Sequence, residues 1–339
     1  MIGISFYLND PLAEQRLIEA SMQGVKKAFT SLHLPEEQGH LASKVKKLLA
    51  TAKANGVEVY ADVSLKTPSH LGIANLEQLR DLGIAGIRLD DFDSHRIIKL
   101  SKQFHIALNA STISRIELKS LLANGLESER LIAWHNFYPR RETGLDENFF
   151  KKQTALFKQY NIPVCAFIPG VGEKRGPIFE GLPTLESHRD IDPFIAAVEL
   201  LKVGIDDVYI GDPASGKELL AKLMKFHSDR ILPLRIYSSV LQGGIYRIRP
   251  DFARDVLRLM DTRNDESAAP EYTGERLRGM ITMDNDLYGR YRGEVQIALR
   301  NLPADERVNV IGQVIEEDLE LLSHIQPGQQ LEWKVLGSY

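Results

Sequence analysis

Through the first two thirds of the chain, short apolar runs alternate with stretches whose apolar residues recur at i, i+3 and i+4. The runs are residues 2–7, 27–32, 57–63, 86–90, 105–109, 131–135, 164–168 and 207–211. Between and after them, residues 12–23, 41–55, 76–82, 94–103, 114–123, 147–160, 193–203 and 215–225 carry the helical period. Gly24, Gly56, Gly83, Gly125 and Gly204 stand where helices should stop. Asp10-Pro11 and Asp192-Pro193 read as an N-cap followed by a first-turn proline. Eight strand–helix units in this length predict an α/β fold, a (β/α)8 TIM-type barrel over residues 1–230. A doubly wound sheet would follow its first strand with a glycine-rich phosphate loop, and here the chain reads Asn9-Asp10-Pro11.

The pattern changes near residue 230. Residues 231–237, 243–249, 279–283, 293–299 and 309–315 are short alternating runs separated by Gly, Pro, Asn and Asp, which predicts a small β-rich domain over residues 231–339. Residues 252–260 and 317–325 each fit a helix, and the polar stretch 262–276 fits a loop.

Composition narrows the function classes. The apolar fraction of 43% supports a sizeable core, and 42 Lys and Arg against 46 Asp and Glu leave a net charge of −4. With no basic block, nucleic acid is disfavoured as a partner. Cys165 is the single cysteine and sits in the apolar run Val164-Cys165-Ala166-Phe167, which reads as a buried inert thiol. No basic-plus-apolar leader and no run long enough to span a bilayer is visible, so a soluble cytoplasmic protein with no membrane partner is expected.

In a barrel, chemistry sits at the C-terminal ends of the strands. Those ends supply Tyr7; Ser31, His33 and Glu36; Asp62; Asp90 and Asp91; Asn109; His135 and Asn136; and Asp212. Asp62, Asp90, Asp91 and Asp212 are the candidate catalytic groups, because two carboxylates across a cleft can divide into a proton donor and an ionised partner. Three of them have a structural alternative, and of the adjacent Asp90 and Asp91, which point to opposite strand faces, at most one is expected to be catalytic. Asp62 and Asp212 could cap a helix or close a turn, and Asp90 shares a strand face with Arg88 and could form an ion pair with it. The loop after the sixth strand adds Tyr138 and Arg140. The long loop after the seventh adds Glu186, His188 and Arg189 as ligands for a sugar or phosphate; Lys174 and Arg175 are candidate phosphate ligands there too, although a solvated basic loop is the better reading for them. His33, His135 and His188 lie in separate segments without ligand spacing, so no metal is assigned.

Several of these stretches resemble the MupG family of bacterial 6-phospho-N-acetylmuramidases. They are Ile2-Gly3-Ile4-Ser5-Phe6-Tyr7, Phe29-Thr30-Ser31-Leu32-His33-Leu34-Pro35-Glu36, His135-Asn136-Phe137-Tyr138-Pro139-Arg140, Glu180-Gly181-Leu182-Pro183-Thr184-Leu185-Glu186-Ser187-His188-Arg189 and, later, Arg278-Gly279-Met280-Ile281-Thr282-Met283-Asp284-Asn285. Departures at Phe6, Leu34 and Arg141 leave every candidate carboxylate in place. The resemblance implies a barrel followed by a cyclophilin-like β-barrel domain. It also implies hydrolysis of the β-1,4 bond between N-acetylmuramic acid 6-phosphate and N-acetylglucosamine, a phosphorylated amino-sugar disaccharide from cell-wall (peptidoglycan) recycling; no cofactor is expected.

Two other classes remain to be weighed. A pyridoxal-phosphate barrel needs a Schiff-base lysine at the end of the first strand, where this chain has Phe6-Tyr7-Leu8-Asn9. A carbohydrate sensor without catalysis would not need so many strand-end carboxylates. In the second domain, Asn285, Tyr288, Arg290 and Tyr291 read either as a turn with surface aromatics or as a segment that closes over substrate or joins subunits of a homo-oligomer.

Overall fold

A computed structural model describes residues 1–32, 41–89 and 94–339. His33, Glu36, Asp90 and Asp91 lie outside the described residues. The chain divides into two compact units, Met1–His227 and Ser228–Tyr339.

The first unit is a closed parallel barrel of β1 (Ile2–Ser5), β2 (Lys27–Ser31), β3 (Glu58–Val63), β4 (Ile84–Leu89), β5 (His105–Asn109), β6 (Leu131–Trp134), β7 (Val164–Ile168) and β8 (Asp207–Ile210), paired in sequence order with β8 returning to β1. The crossovers carry α1 (Ala13–Met22), α2 (Leu41–Ala54), α3 (Thr67–Leu71), α4 (Ser94–Ser101), α5 (Arg115–Ala123), α6 (Glu147–Lys158) and α7 (Pro193–Lys202), and α8 (Lys217–Asp229) follows the last strand. The predicted α/β barrel is therefore the fold. The third crossover differs from expectation. Pro68 opens the short α3 and Gly72 closes it in the left-handed region at φ 63°, and residues 76–79 make only a 3-10 turn capped by Asn75. No helix among the described residues is long and apolar enough to cross a membrane.

The barrel interior follows from the period of two along each strand. Phe29, Tyr60, Trp134, Phe167 and Tyr209 point inward and form one aromatic cluster with Ala107, Ile132 and Cys165. Trp134 and Tyr209 have ring centroids 4.5 Å apart, and Phe29 lies 5.3 Å from Phe167. So many rings fit because two facing positions are glycine. A Cβ on Gly3 would stand 2.4 Å from the Tyr209 ring, and one on Gly86 would stand 2.4 Å from the Tyr60 ring. Gly86→Ala is expected to cost about 1–3 kcal/mol through overpacking, read as a lowered urea midpoint. The cost should shrink in a Tyr60→Leu background, whereas equal cost in both backgrounds would exclude the ring as its cause. Cys165 is fully buried in this cluster, and burial pushes its thiol well up, which keeps it protonated and unreactive.

The second unit is a seven-stranded sheet in the order β10 (Gly244–Arg247), β15 (Gln330–Gly337), β9 (Ile231–Ser238), β14 (Val308–Val314), β12 (Met280–Asp284), β13 (Val295–Ala298), β11 (Val256–Arg258). Three assignments change here. The stretch 252–260, expected as a helix, contains strand β11. Leu257 and Leu259 are buried on one side while Arg258 between them pairs with Glu294 at 2.6 Å, an alternation that suits a strand. The C-terminal stretch, given no element from sequence, forms β15 and pairs with both β9 and β10. Residues 316–324 form a 3-10 rather than an α-helix. Asn285 is fully buried and bonds Glu306 O and Asn309 Oδ1 at 2.8 Å. Tyr288 lies under the Arg307 guanidinium, and Arg290 bonds the Tyr291 hydroxyl at 2.7 Å. These contacts tie the segment into its own unit.

Candidate active site at the mouth of the barrel

The inward phase set by the aromatic cluster decides which strand-end side chains meet. Two residues beyond Phe29, Tyr60, Gly86, Ala107 and Trp134 stand Ser31, Asp62, Arg88, Asn109 and Asn136, so these share the lumen face at the C-terminal end. Register supports the grouping, since Ser31 pairs with Asp62 and Asp62 with Arg88 across β2, β3 and β4.

The centre of the group is an ion pair. Arg88 Nε lies 2.5 Å from Asp62 Oδ1, and Arg88 Nη2 donates to Asp62 Oδ2 at 2.8 Å. Arg88 Nη1 donates to Asn136 Oδ1 at 2.7 Å. One guanidinium thus ties a carboxylate on β3 to an amide just past β6. The side chains of Arg88 and Asp62 are only 11% and 7% exposed. At such depth, a bidentate arginine favours the ionised carboxylate. Arg88, offered from sequence as a possible ion-pair partner of Asp90, pairs with Asp62, while Asp90 lies outside the described residues. Asn109 Oδ1 accepts from Ser111 N at 3.1 Å. The amide NH2 groups of Asn109 and Asn136 donate to no described residue and remain available to an acceptor on a ligand.

Tyr7 reaches the same end from β1, but its hydroxyl is committed. It donates to Gly211 O at 2.6 Å, and burial pushes it well up, so it stays protonated. Its ring is a platform for Arg175, whose guanidinium lies 4.2 Å from the ring centroid.

Five further candidates are placed elsewhere. His135 follows the inward Trp134 and so points out of the barrel. It is fully buried, its Nε2 lies 3.1 Å from Thr154 Oγ1 of α6, and its ring packs on Phe150 at 4.5 Å. Burial holds this imidazole down at about 3. An unfolded histidine titrates near 6.5, so as pH falls below that value the unfolded chain takes up a proton that the folded one refuses. Stability present above pH 6.5 is therefore lost on acidification, by about 2 kcal/mol at pH 5. Urea midpoints at pH 7 and pH 5 should show a smaller drop for His135→Asn than for the native chain; equal drops would exclude His135 as the source.

His188 is also fully buried, with Nε2 3.3 Å from Glu199 Oε2 of α7. Asp212 has a fully covered side chain. Its Oδ2 accepts from Gly170 N at 2.9 Å and its Oδ1 from Arg175 N at 3.1 Å, so it shapes the loop after β7.

Glu186 and Arg189 form a latch between the loops after β6 and β7. Arg189 donates Nε and Nη2 to the two Glu186 oxygens at 2.7 Å, and its remaining donors bind the carbonyls of Tyr138, Arg140, Glu180 and Gly181 at 3.0–3.3 Å. Glu186 also accepts from Glu142 N and Gly144 N, and with Arg189 beside it the carboxyl is lowered to about 2. Gly144 is required there, since a Cβ would stand 2.6 Å from Glu186 Oε2. No donor of Arg189 is left for a phosphate. Tyr138 is half-buried at the rim and Arg140 is exposed in the loop beyond it. Among the described residues, no three His, Cys, Asp or Glu side chains converge as metal ligands.

Sequence reasoning took Arg88 only as a structural ion-pair partner and ranked Arg175, one of its candidate phosphate ligands, below a solvated loop. Arg88 could have been found from its spacing of two from Gly86, once that glycine is placed against the Tyr60 ring. Arg175 carries no local signal in a loop rich in Gly, Lys and Glu.

Two solved structures align with nearly the whole chain. One is a conserved protein of unknown function from Enterococcus faecalis, 36% identical, covering 99% of this chain and 96% of that one, with a TM-score of 0.86. The other is an uncharacterized B. cereus protein, 29% identical, covering 98% and 99%, with a TM-score of 0.81. No curated protein matches the chain. Family models described as 6-phospho-N-acetylmuramidase, N-terminal and C-terminal, match residues 2–225 and 234–334. With both units matched, the chain belongs to the 6-phospho-N-acetylmuramidase family of glycoside hydrolases.

Proposed function

We propose that the protein hydrolyses the β-1,4 bond between N-acetylmuramic acid 6-phosphate and N-acetylglucosamine, in the cytoplasm, as a step in recycling cell-wall fragments. The observation that carries this reading is the buried Asp62–Arg88–Asn136 network on the lumen face of a barrel whose family is named for the reaction. Glycosidic cleavage builds positive charge at the anomeric carbon and negative charge on the leaving oxygen. Asp62, a carboxylate paired with Arg88 at 2.5 Å, would suit the first need. A protonated carboxyl meets the second. It gives its proton to the bridging oxygen as the C–O bond breaks, and water supplies the hydroxyl to the sugar and returns the proton. Asp90 or Asp91 is assigned this part on the sequence pattern alone. The amide NH2 groups of Asn109 and Asn136 would hold the acetamido carbonyl or a ring hydroxyl. Incubation with the phosphorylated and unphosphorylated disaccharides, followed by mass analysis, tests the reading. Release of N-acetylglucosamine from the phosphorylated compound is expected, and an intact disaccharide after prolonged incubation would refute it.

A further inference from the structure

We propose that Arg175, in the loop after β7, is the side chain that binds the 6-phosphate of the substrate; this assignment rests on the phosphomuramidase reading above. Among the described residues near the barrel mouth, four other cations are committed. Arg88 is held by Asp62 and Asn136, and Arg189 by Glu186 and four carbonyls. Arg141 makes a bidentate pair with Asp190 and also bonds Glu180. Lys174 bonds Gly170 O and lies 3.5 Å from Asp212. Arg140 stands exposed in its loop.

Arg175 differs from the first four in its unpaired guanidinium and from Arg140 in resting on aromatic rings. Among the described residues, its guanidinium has no hydrogen-bond or ion-pair partner. It rests 4.2 Å above the Tyr7 ring and 5.6 Å from the Phe137 ring. Phe137 in turn packs edge-on against Phe167 of the barrel interior at 5.1 Å, so the cation lies over the open end of the barrel.

The backbone that carries it is held on both sides. Arg175 N donates to Asp212 Oδ1, and Phe179 N donates to Arg175 O at 3.1 Å. At the start of the loop, Gly170 N donates to Asp212 Oδ2, and a Cβ on Gly170 would stand 2.3 Å from Ala214 O. The loop is therefore pressed against the segment after β8, and the arginine is presented from a fixed main chain. A guanidinium lying on an aromatic face keeps its N–H donors pointing outward in its own plane, in the fork that matches two oxygens of a phosphate. The loops after strands seven and eight are also where barrels commonly place phosphate. A dianion here meets a charge that forms no ion pair among the described residues.

The test measures binding and turnover separately. Calorimetric titration with N-acetylmuramic acid 6-phosphate and with N-acetylmuramic acid gives the phosphate preference as a ratio of dissociation constants. The native chain is expected to favour the phosphorylated sugar by roughly 100-fold. Arg175→Gln should reduce that ratio to within a few-fold of unity. Arg175→Lys, which keeps the charge and loses the fork, should retain a preference of about 10-fold. Thermal midpoints of both variants check folding. A full preference surviving in Arg175→Gln, or no preference in the native chain, would overturn the assignment. If the native chain binds the phosphorylated sugar through Arg175 yet leaves the disaccharide uncut, the hydrolase reading fails while the phosphate site stands.

Discussion

Replacing Asp62 by Asn is expected to lower turnover of the phosphorylated disaccharide by about 10³-fold, in the range lost when a charged catalytic group is neutralised without change of shape. Asn keeps an oxygen to accept from Arg88 but removes the negative charge that would face the anomeric centre. The substitution also leaves Arg88 buried beside a neutral group, and breaking such a pair destabilises a fold by about 3–5 kcal/mol. The two effects separate by measurement. Binding of N-acetylmuramic acid 6-phosphate, followed well below the thermal midpoint, should persist in Asp62→Asn while turnover collapses. Near-native turnover would remove Asp62 from the mechanism and leave the ion pair as a purely structural tie between β3 and β4. Single Asn variants of Asp90 and Asp91, measured alongside, identify the proton donor as the one whose loss shifts the acid-to-base side of the pH–rate profile.

The second large effect concerns stability. Arg189→Leu is expected to cost about 3–5 kcal/mol, read as a lowered urea midpoint. The arginine side chain is 1% exposed and satisfies Glu186 together with four main-chain carbonyls, so its removal strands acceptors from both loops at once. The sign of the pH dependence follows from Glu186. Its carboxyl is lowered to about 2 by Arg189, so its contribution is fully present above the ordinary glutamate range and is lost as pH falls toward 2. Arg189→Lys should recover part of the stability and leave the preference for phosphorylated over unphosphorylated sugar unchanged. A lost preference in that variant, with Arg175 intact, would transfer the phosphate from Arg175 to Arg189.

These two residues illustrate how far a local pattern reaches. Arg175 and Arg189 sit in one loop region with similar polar neighbours, and sequence favours Arg189 because it lies beside a helical turn. In the fold, that position turns its guanidinium inward among carbonyls, whereas Arg175 is lifted onto Tyr7 and Phe137. His135 and Asn136 show the same limit at closer range. Both directly follow β6, yet the alternation of the chain sends His135 to α6 and Asn136 to Arg88.

What the sequence determined by itself is the architecture. Eight apolar runs alternating with amphipathic helices call for a parallel sheet covered on both faces, the lack of a glycine-rich loop after the first run favoured a barrel over a doubly wound sheet, and the shift to short alternating runs after residue 230 pointed to a separate β-rich unit. It also determined that polar residues gather where the strands end. Only the tertiary structure decided which of them meet. That depends on the phase of each strand against an interior of five aromatic rings, and on which donors the loops leave unsatisfied after their own carbonyls and carboxylates are bonded. Both are set by contacts between segments far apart in the chain, so no local spacing encodes them.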